Sequence, residues 1–200
     1  MGIHEHSIMP DENEDDNLLK RYQHGVGCLL YLVKLSRPDL NNCVRELSKC
    51  MTKCNKASYK QLLRCIGYLK TRRNFGISLK WNKNIEEKIN LKCYVDSDWG
   101  GDKVSRKSIS GWIIFLNESP IVWGSKQQNV VSQSSSEAEY IAISDVCKDL
   151  IFVIRILEFF GFIINFPSKV MVDNKGAMFM TKNSSIKRTK HIHTRYLFVK

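Results

Sequence analysis

Between Leu91 and Asp98 the side chains alternate in character. Leu91, Cys93 and Val95 are apolar, while Lys92, Tyr94, Asp96 and Asp98 are not. A period of two is that of a strand with one buried face. The run passes into Tyr94-Val95-Asp96-Ser97-Asp98-Trp99-Gly100-Gly101-Asp102, which places three carboxylates within seven residues at the start of a glycine turn. A buried carboxylate is costly unless it is paired or binds a metal. Such a strand must therefore end in a solvated turn or in a ligand set. Asp and Gly are ordinary turn residues, so this stretch alone leaves the two readings level.

The charge balance adds to the ligand reading. Residues 1–17 hold six of the 20 acids and no lysine or arginine, so 14 acids face all 31 basic residues in the remainder, an excess of +17. A body that basic suits a polyanion, with nucleic acid the leading candidate. The seven cysteines are an odd number, and most fall within apolar patterns with no secretory signal ahead of them. They are expected to be reduced, buried thiols in an intracellular protein. Apolar runs such as Ile151 to Ile154 are soon interrupted, there by Arg155. None approaches the ~20 residues of a membrane span, so no membrane partner is expected.

Residues 1–17 are acidic with few large apolar groups and are expected to be a disordered leader. From Leu18 to Leu35 the spacing of Leu18, Leu19, Tyr22, Val26, Leu29, Leu30 and Val33 predicts a helix. Pro38 suits the first turn of a second helix, about 38–53. A third, about 56–73, has Tyr59, Leu62, Leu63, Ile66 and Leu69 as its apolar residues. Its other face carries Lys56, Lys60, Arg64 and Lys70, which suits phosphate contact or plain solvation. Ile77 to Trp81 is a candidate short strand, and 82–90 a linker. After the strand from Leu91 come strands at Gly111 to Leu116 and from Ile121, joined by Asn117-Glu118-Ser119-Pro120, an antiparallel meander. Ser134-Ser135-Ser136 opens a long helix closed by Gly161. Its stripe of Ile143, Val146, Leu150, Val153, Leu157 and Phe160 counts back to Glu139, which sets Glu139 over the sheet and leaves Glu137 to cap. Lys169 to Asp173 is a fourth strand, again ending in an acid, and Asp173 or Asn174 caps a helix over 175–181. Residues 187–200 are basic and amphipathic and are expected to be helical.

If the fourth strand pairs with the first, Asp96, Glu139 and Asp173 converge at one sheet edge. Hard oxygen ligands of this kind suit Mg2+ or Mn2+. Two such ions about 4 Å apart can activate a water and stabilise the leaving oxygen of a phosphodiester. With the basic body, this is a nuclease-type site.

Seven motifs then occur in order. They are Leu35-Ser36-Arg37-Pro38-Asp39-Leu40, the Tyr94–Asp102 stretch, Arg106-Lys107-Ser108-Ile109-Ser110-Gly111, Trp123-Gly124-Ser125-Lys126-Gln127-Gln128, Ser135-Ser136-Glu137-Ala138-Glu139-Tyr140-Ile141-Ala142, Val172-Asp173-Asn174 and Arg188-Thr189-Lys190-His191-Ile192. Over roughly residues 18–200 the chain resembles the C-terminal part of the Pol polyprotein of Ty1/copia-type LTR retrotransposons. The resemblance implies an α/β mixed-sheet, ribonuclease H-like fold preceded by a small helical segment. Residues 18–90 would be the helical tail of a reverse transcriptase with its linker, and 91–200 a ribonuclease H domain cutting the RNA strand of RNA–DNA hybrids with two Mg2+ ions. By motif, Asp96, Glu139 and Asp173 fall on that family's metal-ligand positions, with Asp98 and Glu137 as neighbours. Ser97, Ser108, Ser110, Gln127, Lys126 and His191 fall where the family holds its hybrid. The implied partners are the RNA–DNA hybrid and the remainder of the reverse transcriptase, with no small-molecule cofactor. The implied location is the cytoplasm, within virus-like particles, and the nucleus.

Two departures from the family pattern bear on this expectation. His193 stands where the family usually has an acid, a change best taken as a neutral surface one. The family also continues beyond the position of Lys200 into a further strand and a helix with a last active-site acid, so the ribonuclease H domain is expected to be truncated. The alternative function is therefore a remnant that binds nucleic acid or only folds, without catalysis. A strand-transferring integrase on the same fold is weaker, because Glu139 precedes Asp173 and integrases place their glutamate last.

Overall fold

The computed structural model describes residues 12–80 and 88–182. The region expected to be helical at 187–200, and with it His191 and His193, lies outside them. The chain divides at Gly76 into two compact units.

The first unit is helical. Helix α1 (Glu12–Leu35) begins ahead of the start expected at Leu18, and residues 1–11 of the expected leader lie outside the described residues. Tyr22, Val26, Leu29 and Val33, at steps of four, three and four, are buried against Leu40, Val44, Leu47, Leu62 and Cys65. The expected second helix is a 3-10 turn (Pro38–Leu40) followed by the short α2 (Asn41–Ser48). Ser48 Oγ donates back to the Val44 carbonyl at 2.8 Å, and the backbone beyond closes onto i−3 carbonyls, which ends the helix early. Helix α3 (Lys56–Thr71) starts on a reciprocal cap between Asn55 and Ser58. It buries Leu62 and Cys65 and leaves Leu63 and Ile66 exposed, so its expected apolar stripe is only half used. Lys56, Lys60, Arg64 and Lys70 are all exposed.

The Arg37-Pro38-Asp39 turn is a polar lock in this unit. Arg37 donates to both Asp39 oxygens at 2.9 and 2.7 Å and to the Arg72 carbonyl at 3.2 Å. Tyr68 adds its hydroxyl to Asp39 at 3.0 Å. The Arg37 hydrogen bonds hold the Asp39 carboxyl below its ordinary value. All seven cysteines are free thiols, as expected, but only Cys65 and Cys93 are buried, while Cys28 and Cys43 are exposed. The two exposed thiols sit beside the buried helical stripes and not on them, which the pattern of apolar neighbours conceals.

The second unit is a mixed sheet covered by one long helix. Strands β1 (Ile89–Asp98), β2 (Ile109–Leu116) and β3 (Ser119–Gln127) form the antiparallel meander, and β4 (Ile164–Met171) pairs parallel with β1, in the order β3-β2-β1-β4. Residues 77–80 form no strand. Lys80 instead exchanges backbone hydrogen bonds with the Ser119 hydroxyl, so a side chain satisfies groups that a ladder would otherwise pair. Along β1, Leu91, Cys93 and Val95 are buried and Tyr94, Asp96 and Asp98 exposed, as the alternation requires. Burial pushes the Cys93 thiol up to about 12.

Helix α4 (Ser135–Phe159) lies on the buried face, with Ile143, Val146, Leu150 and Val153 against Leu91, Cys93, Val95, Ile114 and Ile164. Its first half is buried almost all round, because Tyr140 and Ile141 meet Val130 and Met180 on the opposite side. Its last turn closes with Phe162 N–H on the Leu157 carbonyl and Gly161 N–H on that of Glu158, with Gly161 at φ +82. Phe160, expected on the buried stripe, is exposed. Helix α5 (Lys175–Lys182) follows β4. Among the described residues, no helix is long and apolar enough to cross a membrane.

Candidate metal centre

Three separate elements deliver acids to one place. Asp96 is on the exposed face of β1, near its end. The parallel register sets Met171 beside Tyr94, which carries the chain after β4 toward Asp96, and Asp173 lies two residues further on. Ser134 accepts the Glu137 N–H at 3.2 Å and so starts α4, which brings Glu139 over the strand ends early in the helix. The start of α5 is tied to the start of α4. Asn174 Oδ1 accepts from Ala177 N–H at 3.0 Å and from the Ser136 hydroxyl at 3.1 Å. Gly176 packs so closely on Ser136 that a Cβ there would collide with it.

Each of Asp96, Glu139 and Asp173 offers a carboxylate oxygen, and the three oxygens lie within 4.8 Å of one another. Asp96 and Asp173 are exposed, whereas Glu139 is 4% exposed. Glu139 Oε1 accepts two hydrogen bonds from Ser97, from its N–H and from its hydroxyl, each at 2.9 Å. Oε2 of the same carboxylate is buried and has no hydrogen-bond partner. Burial raises the Glu139 carboxyl above its ordinary value; the Ser97 donors oppose that, and the charges of Asp96 and Asp173 add to it. Three converging carboxylates with an orphaned buried oxygen form an arrangement whose electrostatic need is a cation. The donors are all hard oxygens, and two of the three face solvent. The set therefore fits a divalent ion of the Mg2+ or Mn2+ kind, which keeps several waters.

The other candidate residues take different places. Asp98 is exposed, its carboxylate is turned onto Gly101, and it is not among the three clustered acids. Glu137 is buried and reaches back to the Gln133 N–H at 2.8 Å, a capping role. Ser108 and Ser110 are fully buried, which corrects the expectation that they face a nucleic acid. Ser108 Oγ accepts from Gly100 N–H at 3.1 Å, and Ser110 Oγ accepts from Gln128 Nε2 at 3.1 Å. Gln127 Nε2 donates to the Ser105 hydroxyl at 2.9 Å, and Lys126 lies 3.4 Å from Asp145 with its side chain half exposed.

Asp102, the third acid of the opening stretch, folds the loop after β1. Its Oδ1 accepts from Val104 N–H, Ser105 N–H and the Ser105 hydroxyl. The sequence reading missed Gln128. It is buried between Ser110, Ser132 and the Ala138 carbonyl, and it ties β2 to the first turn of α4. The signal for it is its place at the end of the Trp123–Gln128 motif, which carries part of the resemblance but gives this residue no role.

A mixed α/β unit with a carboxylate cluster where two strands and a helix meet is thus a candidate metal-binding protein. The chain is 33% identical over 201 residues to the retrovirus-related Pol polyprotein from transposon RE2 of Arabidopsis thaliana, all of this chain against 13% of that protein. It is 34% identical over 180 residues to that from transposon RE1 of the same plant, 90% of this chain against 12% of that one. For the polyprotein from transposon TNT 1-94 of Nicotiana tabacum the match is 31% over 189 residues, 94% of this chain against 14%. The chain belongs to the Pol polyproteins of copia-type transposons and corresponds to a short segment of them. No protein-family model and no solved structure matches it.

Proposed function

We propose that the second unit is a ribonuclease H-like domain that hydrolyses the RNA strand of RNA–DNA hybrids, and that the helical unit before it is the tail of a reverse transcriptase. The observation that carries this reading is the cluster of Asp96, Glu139 and Asp173, with the Glu139 oxygen that has no partner inside the protein. The three acids would hold Mg2+ or Mn2+, two ions in the full site. When bound, the ions supply Lewis-acid activation of water and neutralise charge on the phosphodiester. The chain's own part is to fix the ligands. Ser97 orients Glu139, the β1–β4 pairing sets Asp173 beside Asp96, and Asn174 anchors the turn that follows. Asp96 and Asp173 face the solvent side from which a backbone phosphate would approach. The loop after β1 brings Lys103, Arg106 and Lys107, and the excess of basic residues elsewhere favours a polyanionic substrate. The proposed partners are the hybrid and the rest of the reverse transcriptase, and the proposed setting is the cytoplasmic particle and the nucleus.

Incubation of the purified chain with end-labelled hybrid and Mg2+ tests the reading. Cleavage by the wild type and none by Asp96→Asn is expected. No cleavage by the wild type, or equal cleavage by both, overturns it. Salt-dependent hybrid binding without turnover would identify a nucleic-acid-binding remnant instead.

A further inference from the structure

Ser97 stands between two aspartates and belongs to the opposite pleat of β1. Asp96 and Asp98 lie on the exposed face, while Ser97 continues the face of Leu91, Cys93 and Val95, on which α4 rests. The alternation that exposes Asp96 therefore turns the next side chain toward the helix. There its N–H and its hydroxyl both end on the same oxygen, Glu139 Oε1, at 2.9 Å each. Two donors on one oxygen fix the plane of the carboxylate and occupy the lone pairs of that oxygen. The second oxygen remains, buried and without a partner. It belongs to the group whose oxygens converge with those of Asp96 and Asp173.

We propose that Ser97 is a positioning residue that makes Glu139 a one-oxygen ligand and so biases the centre toward Mg2+ and Mn2+ over Ca2+. The proposal rests on the metal reading above. A carboxylate with both oxygens free can grip one ion with both. That mode suits Ca2+, which takes six to eight oxygens at roughly 2.3–2.6 Å in loose geometry. Mg2+ demands about six oxygens at roughly 2.0–2.1 Å, and few of them come from protein. With Oε1 committed to Ser97, Glu139 contributes one oxygen in a set direction. The backbone donor would persist with any residue except proline at position 97, but the hydroxyl donor needs serine or threonine. The inference thus concerns this chain's own side chain. A serine here is a tuning element of the cation site, a role separate from the hybrid contact that the family resemblance implies for it.

Calorimetric titration of the full chain with Mn2+, Mg2+ and Ca2+ tests this without recourse to activity. The wild type should bind Mg2+ and Mn2+, and Asp96→Asn should lose that binding. Ser97→Ala should weaken Mg2+ and Mn2+ on the order of tenfold, the usual effect of removing a partner that orients a ligand. Its Ca2+ affinity should fall less, so the Mg2+ to Ca2+ ratio moves toward Ca2+. Ser97→Thr, which keeps the hydroxyl, should restore both affinity and ratio. A purely structural role would lower all three affinities together and leave the ratio in place. If Ser97→Ala does not fold, Ser97→Cys takes its place, its weak thiol donor giving the same shift. Wild-type affinities and ratio in Ser97→Ala, or a Ser97→Thr that behaves like it, overturn the proposal while the metal reading stands. Absent wild-type binding, or equal binding by Asp96→Asn, overturns both.

Discussion

Glu139 concentrates the electrostatic tension of the second unit in one side chain. Burial is the main reason its carboxyl is raised, so the native protein holds that proton more tightly than the unfolded chain does. The stability this contributes is fully present below the ordinary glutamate value of 4.5 and is lost as pH rises through the raised native value. Thermal melts in chelator should therefore show the unit weakening as the medium goes from acid toward neutral. Glu139→Gln keeps an acceptor for Ser97 and removes the charge, so its melting temperature should fall less over that range. Identical pH slopes in the two proteins would mean that the carboxylate cluster is not the source. The role of Ser97 was not legible from sequence. Counting helical steps back from Ile143 places Glu139 over the sheet, but it does not say which strand residue lies beneath. The serines at 108 and 110 failed for a related reason. A lone polar residue carries no apolar period, and the partners that accompany the burial of these two lie elsewhere in the chain: Gly100 for Ser108 and Gln128 for Ser110.

At the scale of elements, α1 shows how close packing and propensity separate. It contains two glycines in its middle, each a poor helix former, yet it runs unbroken from Glu12 to Leu35. A Cβ at Gly25 would meet the buried Leu62 side chain at 2.8 Å, so this glycine lets α3 approach. Gly27 faces open space with nothing within 4 Å. Gly27→Ala should stabilise the helical unit by about 0.5–1 kcal/mol, the usual helix gain. Gly25→Ala should show no such gain, because the methyl must displace Leu62. Urea unfolding of the two variants decides the matter, and an equal gain in both would refute the close approach. The boundaries least visible beforehand were those set by local side-chain bonding. Ser48 turning back on Val44 shortens α2, and Ser119 holding Lys80 replaces the strand expected at 77–81.

At the scale of the molecule, the order of the elements and the meeting of the three acids were legible, because alternation and helical register are geometric and survive without tertiary knowledge. The meander followed from strong turn chemistry, and the parallel pairing of β4 with β1 was the condition under which the acids would converge. That pairing also has a consequence in time. The meander strands follow one another directly in the chain, whereas Asn90 and Asn165, hydrogen-bonded across β1 and β4, are 75 residues apart. Closing so long a loop is entropically expensive, and parallel pairing over such a span is slow. The first strand, the hairpin and the long helix can form before Asp173 arrives beside Asp96. During refolding, a Mn2+-dependent signal should therefore lag the far-ultraviolet signal and grow in with the slowest phase. Capture of Mn2+ in the earliest phase would show that the acids meet before the sheet is complete. The site is then the last clock hand to move: a cation is held only by chains that have finished folding.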